Sequence, residues 1–398
     1  MNQACTDYPE LRLKPREDRR PRAGHLWIYS NEVDTAATPL NKLPAGAIVR
    51  LMSAEDRFLG YAGVSPHSLI VARILSRDVA HPPDRSLVVH RLKVALAMRE
   101  RLYGQGCYRA LFADGDGLPG LVVDRFGDIV VLQAGTATME NMKGDIVDAV
   151  TKVYSPAGIL WRNDSSARKL EGLERYVEVA AGEVPDEVRV VDNALELTAP
   201  LRTGQKTGWF YDQRDNRARL ARYRPDSVLD VFSYTGAWGL AAAARGARAM
   251  LVDSSATALE VAERDAQRLG LEVETAEGQA FDVMKALADE GRSFAAVVVD
   301  PPAFIKRRKD QKAGLIAYQR ANQLAMRLLE RDGLLVSCSC SFHLSQEDHL
   351  VAIQRAARHL GRAVQVLELG GQSADHPSHP LIPETRYLKA VFCRIVPE

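Results

Sequence analysis

The chain has 398 residues, more than one ordinary core holds, and its hydrophobic (46%) and charged (26%) fractions are those of a globular protein of two or three domains. A net charge of +1 excludes no nucleic-acid partner, because binding needs a local basic surface and not a basic total. No apolar run approaches bilayer-spanning length and the first 22 residues are charged and proline-punctuated, unlike a secretory signal, so the expectation is a cytoplasmic protein with no membrane partner.

Residues 1 to about 75 read as a small β domain. Ala47 to Met52, Phe58 to Val64 and Leu69 to Leu75 are strand-length runs between turn residues, and in the third run both faces carry apolar side chains, as a small barrel requires. From Pro82 the pattern changes. Leu87 to Leu102 spaces Leu92, Ala95 and Leu96 as an amphipathic helix stopped by Gly104. Tyr108 to Phe112, a hairpin pairing Leu121 to Asp124 with Ile129 to Gln133, a helix over Met139 to Val153, and strands over Gly158 to Arg162 and Val188 to Leu197 complete a mixed α/β middle domain, 76–188.

Beyond residue 189, strands and helices alternate. Val228 to Val231, Ala249 to Val252, Val273 to Ala276, Ala295 to Val299 and Gly333 to Ser337 are the parallel strands, and runs near Val364 to Leu369 and Tyr387 to Ile395 bring the sheet to seven. The pattern predicts a doubly wound, Rossmann-like α/β sheet with helices on both faces.

In such sheets chemistry gathers where strands end. After the first strand, Asp230 leads into Phe232-Ser233-Tyr234-Thr235-Gly236 and a helix, where backbone amides favour an anionic group such as a methionine carboxylate. Asp253, with Ser254 beside it, ends the second strand and is placed for ribose hydroxyls; Asp282, after the third, for an adenine amine. A nicotinamide dehydrogenase expects Gly-x-Gly-x-x-Gly, whereas this loop has only Gly236 and Gly239.

Asp300-Pro301-Pro302-Ala303-Phe304 follows the fourth strand. Two prolines stiffen the exit and leave carbonyls facing outward, so Asp300 and Pro301 border the cofactor side while Pro302 and Phe304 wall a planar base. A plain proline turn is the structural alternative. The fifth strand ends in Ser337-Cys338-Ser339-Cys340-Ser341, which brings Cys340 out beside Asp300. Thiolate addition to carbon 6 of a pyrimidine makes carbon 5 nucleophilic towards a methyl donor; a packed structural cysteine is the bland reading.

The five cysteines, Cys5 and Cys107 among them, are odd in number and scattered, which argues against a disulfide framework. Cys338 and Cys340 are too close for zinc spacing and no histidine pair accompanies them, so no metal is expected.

In these segments the chain resembles the bacterial large-subunit ribosomal RNA methyltransferases of the RlmI type, which make 5-methylcytosine in 23S ribosomal RNA. The likeness runs from Gly24-His-Leu-Trp-Ile-Tyr-Ser30 through Asp116-Gly-Leu-Pro-Gly120, Asp124-Arg-Phe-Gly127 and Lys206-Thr-Gly-Trp-Phe-Tyr-Asp-Gln-Arg-Asp-Asn216 to Ala374-Asp-His-Pro377 and Tyr387-Leu-Lys389. It implies a PUA domain over 1–75, an α/β linker domain over 76–188 and an S-adenosylmethionine-dependent methyltransferase domain over 189–398. It also implies that Lys206 to Arg214 closes over the cofactor with Phe210 and Asp212 lining it, that Cys340 is the nucleophile, and that ribosomal RNA is the partner. Ala303 stands where the family has lysine, and Cys338 is extra.

RNA contact is expected from Lys306-Arg307-Arg308-Lys309 and from a second patch of Arg12, Lys14, Arg16, Arg19, Arg20 and Arg22, though a charge run also serves as a solvated face. Two other functions stay open: methylation of an exocyclic or ring nitrogen, which needs no thiol, and an inactive RNA-binding protein. The modified nucleotide, the proton-removing base and the oligomeric state, a homodimer included, are not legible.

Overall fold

Uninterrupted apolar runs alternating with amphipathic helices build a single seven-stranded sheet in the C-terminal half. Its strands are β1 (Ser227–Val231), β2 (Arg248–Asp253), β3 (Val273–Glu277), β4 (Phe294–Val299), β5 (Leu329–Ser339), β6 (Arg362–Gly370) and β7 (Lys389–Pro397), ordered β3-β2-β1-β4-β5-β7-β6. The first five are parallel, and β7 runs antiparallel to both β5 and β6. The helices are α1 (Ala237–Ala243), α2 (Ala256–Leu269), α3 (Ala280–Asp289), α4 (Gln311–Arg327) and α5 (Gln346–Arg358). The computed structural model describes residues 8–104 and 106–398, so Cys5 lies outside the described residues.

Alternation along the central strands explains why β1, β4 and the second half of β5 are buried on both faces. Leu229, Val231, Val297, Val299 and Leu335 pack into one core, while Val228, Ala296, Val298, Leu334 and Val336 pack into another on the opposite face. Each such fully buried Val or Leu contributes roughly 1.5–3 kcal/mol. Helix ends follow local chemistry: the Ser255 hydroxyl accepts from Ala258 N to start α2, and Gly270 ends it in the left-handed region.

By its contacts the chain forms two units. One runs up to Val188 and takes back Pro200–Trp209 and Asp375–Thr385; the other comprises Arg189–Ala199, Phe210–Ala374 and Arg386–Glu398. In the first unit, Glu10–Arg12 pairs with Ile48–Met52, followed across the sheet by Phe58–Val64, Ile70–Ser76 and Trp27–Tyr29. A bridge between Leu13 and Val33 brings the two sheet edges together around Leu11, Ile28, Val49, Val64 and Val71. The same unit holds a second five-stranded sheet, from Tyr176–Gly182 through Gly158–Asn163, Ile129–Ala134 and Leu121–Phe126 to Cys107–Phe112, covered by the helices Arg85–Leu102 and Lys143–Tyr154.

The sequence pattern mis-states two elements and misses three strands. The single strand expected over Val188 to Leu197 is a two-stranded sheet, Glu187–Asp192 and Leu195–Pro200, because Asn193 (φ 50°) and Ala194 (φ 68°) both turn left-handed between them. The helix over Met139 to Val153 breaks at Met142 into Ala137–Asn141 and Lys143–Tyr154. Glu10–Arg12, Trp27–Tyr29 and Tyr176–Gly182 are strands too short or too polar to show alternation.

Candidate active site

The loop from β1 to α1 is the most contorted backbone in the second unit. Phe232 (φ 65°), Tyr234 (φ 51°) and Gly236 (φ 76°) all lie in the left-handed region, which is costly for the two aromatic residues and marks a loop shaped by what it holds. Backbone bonds from Phe232 N and Ser233 N to Val252 O, 2.9 and 3.0 Å, pin it to β2. A Cβ at Gly236 would meet Leu251 Cδ1 at 2.8 Å, so both conformation and packing require glycine there.

Asp230 is fully buried, and its Oδ2 accepts from Gly239 N at 3.0 Å on the first turn of α1. Burial pushes its carboxyl up to about 7, opposed by that hydrogen bond and reinforced by the carboxylates of Asp300 and Asp253. The Asp230 Oδ1, Ser233 Oγ and Thr235 Oγ1 atoms are buried with no hydrogen-bond partner. A buried donor or acceptor left unmatched costs about 1–3 kcal/mol, so three of them around one loop are suited to a polar ligand with both cationic and anionic groups. Asp253 accepts from Tyr234 N (2.8 Å) and Ser255 N (2.9 Å), which fixes its carboxylate at the end of β2. Ser254 is exposed next to it, and Asp282 is exposed on the first turn of α3.

The residues before β1 divide. Phe210 meets the Tyr234 ring edge-on at 5.5 Å, which ties it to the loop. Asp212 is buried, with Oδ2 accepting from Tyr387 OH at 2.5 Å and its carbonyl from Ser373 N. Arg214 is turned to Val191 O (3.3 Å) and the Tyr211 ring (5.1 Å). Lys206, exposed with φ 52°, belongs to the Pro200–Trp209 segment of the first unit.

At the ends of β4 and β5 the register sets the pairing of chemical groups. Val299 lies opposite Ser337, so Asp300 and Pro301 continue beside Cys338 to Cys340. The Cys340 Sγ is 4.0 Å from Pro301 O. Of the cysteines among the described residues, Cys107, Cys338 and Cys393 are buried and Cys340 alone is partly exposed. Burial, followed by the Asp300 charge, raises the Cys338 thiol well above its ordinary value, so it stays protonated and packs with Val228, Trp238 and Phe392.

Several residues at this edge have no motif. Gln213 Nε2 (2.9 Å) and Trp238 Nε1 (3.3 Å) both donate to Asp300 Oδ2 and fix its rotamer. On α4, Tyr318 OH bonds the Ser339 and Ser341 hydroxyls at 2.8 Å each, and Ser341 Oγ accepts from Ile305 N at 3.2 Å, so one buried hydroxyl network grips both sides of Cys340. Phe304 packs on Tyr318 (4.8 Å), Phe281 (6.1 Å) and Phe232 (6.3 Å), a half-buried aromatic wall next to exposed Pro302. The only sequence signal for these residues was proximity to motifs: Gln213 sits inside the 206–216 segment and Tyr318 inside an amphipathic helix.

Lys306, Arg307, Arg308 and Lys309 are exposed directly after this wall, with Arg307 paired to Asp310 at 3.2 Å. Half of the second basic patch is paired with acids: Arg12 with Asp56 (2.6 Å) and Glu10 (3.2 Å), Arg20 with Glu32 (2.5 Å) and Arg22 with Asp18 (3.3 Å). Among the described residues no cluster of metal ligands occurs, and no helix is long and apolar enough to cross a membrane.

A PUA-like domain family matches residues 11–77, and a family described as conserved hypothetical protein 95 matches 217–338. The ribosomal RNA large subunit methyltransferase I of Pseudoalteromonas atlantica is 33% identical over 392 residues, 96% of this chain and 98% of that protein. The chain belongs to this family. The Aliivibrio fischeri member is 35% identical over 388 residues, 95% of this chain and 97% of that one. In fold the family member described here is similar to SMU.776, solved with SAH bound (TM-score 0.82, 20% identity, 97% of this chain and 100% of that one). It is also similar to the M. jannaschii tRNA m1G37 methyltransferase (TM-score 0.51, 16% identity, 78% and 79%).

Proposed function

We propose that this protein transfers a methyl group from S-adenosylmethionine to carbon 5 of a cytosine in large-subunit ribosomal RNA, through a covalent adduct on Cys340. The observation that carries this is a partly exposed thiol at the end of β5, 4.0 Å from the carbonyl of Pro301 and flanked by Asp300 at the end of β4. Methylation of a base nitrogen needs no such thiol.

The residues around the β1–α1 loop fit the cofactor. The unpartnered Asp230 Oδ1 suits an ammonium, the Ser233 and Thr235 hydroxyls a carboxylate, and Asp253 the ribose hydroxyls, with Phe210 and Tyr234 forming an apolar edge. When bound, S-adenosylmethionine supplies an electrophilic methyl group.

The protein's own part begins with a base swung out of the RNA and laid against Pro302 and Phe304. Asp300, its rotamer fixed by Gln213 and Trp238, meets the Watson-Crick edge and shares a proton with ring nitrogen 3. The Cys340 thiolate adds to carbon 6, forming the sulfur–carbon bond and shifting the ring electrons onto carbon 5. After methylation, a base takes the carbon 5 proton, the C–H pair re-forms the ring double bond, and the sulfur–carbon bond breaks with its electron pair returning to the Cys340 thiolate. The exposed 306–309 cluster holds phosphates flanking the target base.

The test is methylation of ribosomal RNA from cells lacking this protein, with nucleoside mass spectrometry. Wild type is expected to put label into 5-methylcytosine of the large subunit, and Cys340→Ala to lose at least about a thousandfold of that rate. Equal label from the variant, or label in a nitrogen-methylated base, overturns the covalent reading.

A further inference from the structure

β7 begins with a lysine that lies 8% exposed. Lys389 faces Ser339 across the β5–β7 pairing, one residue before Cys340. Its Nζ donates to Ser341 O at 2.6 Å and to Tyr387 O at 2.8 Å, the first of these being the carbonyl of the residue that follows Cys340. Both acceptors are neutral carbonyls. An ammonium has three hydrogens, and a buried one is stable only beside a counter-charge. Among the described residues no carboxylate pairs with it.

Burial accordingly pulls the Lys389 ammonium down to about 8; Cys340 acts in the opposite direction, and Arg386 with burial. Among the described residues, Cys340 is the group whose negative charge favours the Lys389 ammonium. The other titratable groups at this edge do not supply one. His349 of α5 is held to about 3 by burial and by Lys389, so it is neutral, and Tyr318 of α4 is raised by burial. Cys338 stays a thiol, and the Asp300 carboxylate at the end of β4, bonded to Gln213 and Trp238, is not among the groups that act on Lys389.

We infer that Lys389 is the cationic partner that keeps Cys340 as a thiolate, a positioning residue for the nucleophile. The inference rests on the reading of Cys340 as nucleophile. The thiol proton goes to solvent, and the charge left on sulfur is balanced by the Lys389 ammonium, so no co-reactant is needed. In the adduct the charge on sulfur is gone and the lysine is left unbalanced. Expulsion of the thiolate from carbon 6 restores the pair, so the same lysine that activates the attack also favours release of the product. This gives the chain a device for the release step that does not require a second cysteine beside the proline segment.

The experiment is alkylation of the full-length protein by iodoacetamide from pH 5.5 to 9.5 without RNA or cofactor, following the modified Cys340 by fragment mass spectrometry. Wild type is expected to react with a midpoint below the roughly 8.5 of an ordinary thiol, and so to be alkylated several-fold faster than such a thiol at pH 7. Lys389→Met is expected to move the midpoint up to that of an ordinary thiol, and Lys389→Arg to keep it low. A wild-type midpoint at or above about 8.5 overturns the inference with no variant needed, and so does an unchanged midpoint in Lys389→Met. If Lys389→Met does not fold, the wild-type curve and Lys389→Arg decide, an upward shift in the arginine variant counting against a charge role. Because alkylation involves no methyl transfer, this result is independent of whether Cys340→Ala retains activity, which tests the nucleophile reading alone.

Discussion

Tyr318 carries the geometry of the thiol site through one atom. Its hydroxyl is shared by Ser339 and Ser341, the two neighbours of Cys340, and all three side chains are buried. Tyr318→Phe keeps the ring packed on Phe304 but removes the hydroxyl that joins the two serines, leaving Ser341 Oγ bonded to Ile305 N and Ser339 Oγ to Ser341 N only. The expected cost is about 1–3 kcal/mol in denaturant unfolding. A fall in methylation larger than the loss of folded protein would mark the network as positioning Cys340. Asp230 makes a second residue-scale prediction. Its folded carboxyl titrates near 7 and its unfolded one near 4, so its contribution to stability is full below about pH 4 and is lost as pH rises through about 7. The cofactor-free protein should therefore unfold at a lower denaturant concentration at pH 8 than at pH 5, and Asp230→Asn should flatten that difference. A profile unaltered by the asparagine would assign the pH dependence to other groups.

At the scale of elements, the β1–α1 turn works only because a helix sits hard against two strands. A Cβ at Gly239 would fall on Leu251 Cδ2 of β2 and lie close to the Asp230 side chain on β1. Gly239→Ala should cost about 1–3 kcal/mol by overpacking and should weaken S-adenosylmethionine binding in calorimetry, since it displaces the acid that the loop is built around. Unchanged binding with lowered stability would separate α1 packing from the cofactor loop. How much of this was legible follows from the same geometry. The three strand ends could be found because each is a contiguous apolar run broken by Gly, Pro or Cys, and a sheet that is buried on both faces writes such runs plainly. Gln213, Trp238, Tyr318 and Lys389 could not, because each reaches the site from a different element and its spacing from the motifs carries no period. The left-handed pair at Asn193 and Ala194 was hidden as well, since Ala194 has no turn propensity of its own and the flanking valines and leucines read as one strand.

At the scale of the whole molecule, a chain with 52 basic and 51 acidic side chains cannot hold RNA by its total charge, so where the positive groups are left without partners decides the matter. In the first unit Arg12, Arg20 and Arg22 are already engaged by Asp56, Glu32 and Asp18, and their charge is spent inside the fold. The run after the proline segment differs: its four cations are exposed, and among the described residues Arg307 alone of them has an acidic partner, at 3.2 Å on an open surface where such pairs count for little. Each phosphate contact on single-stranded RNA contributes about 0.7 to the slope of log affinity against log salt. Replacing Lys306, Arg307, Arg308 and Lys309 by glutamine should therefore make that slope shallower by up to about 3, while leaving S-adenosylmethionine binding intact. Replacing Arg12, Arg20 and Arg22 should instead lower the unfolding midpoint with little change in slope. A quadruple variant with the wild-type slope would show that the 306–309 cluster is a solvated face, and phosphate contact would then have to be sought on the first unit, beginning with Lys14, Arg16 and Arg19, the members of the second patch outside those ion pairs.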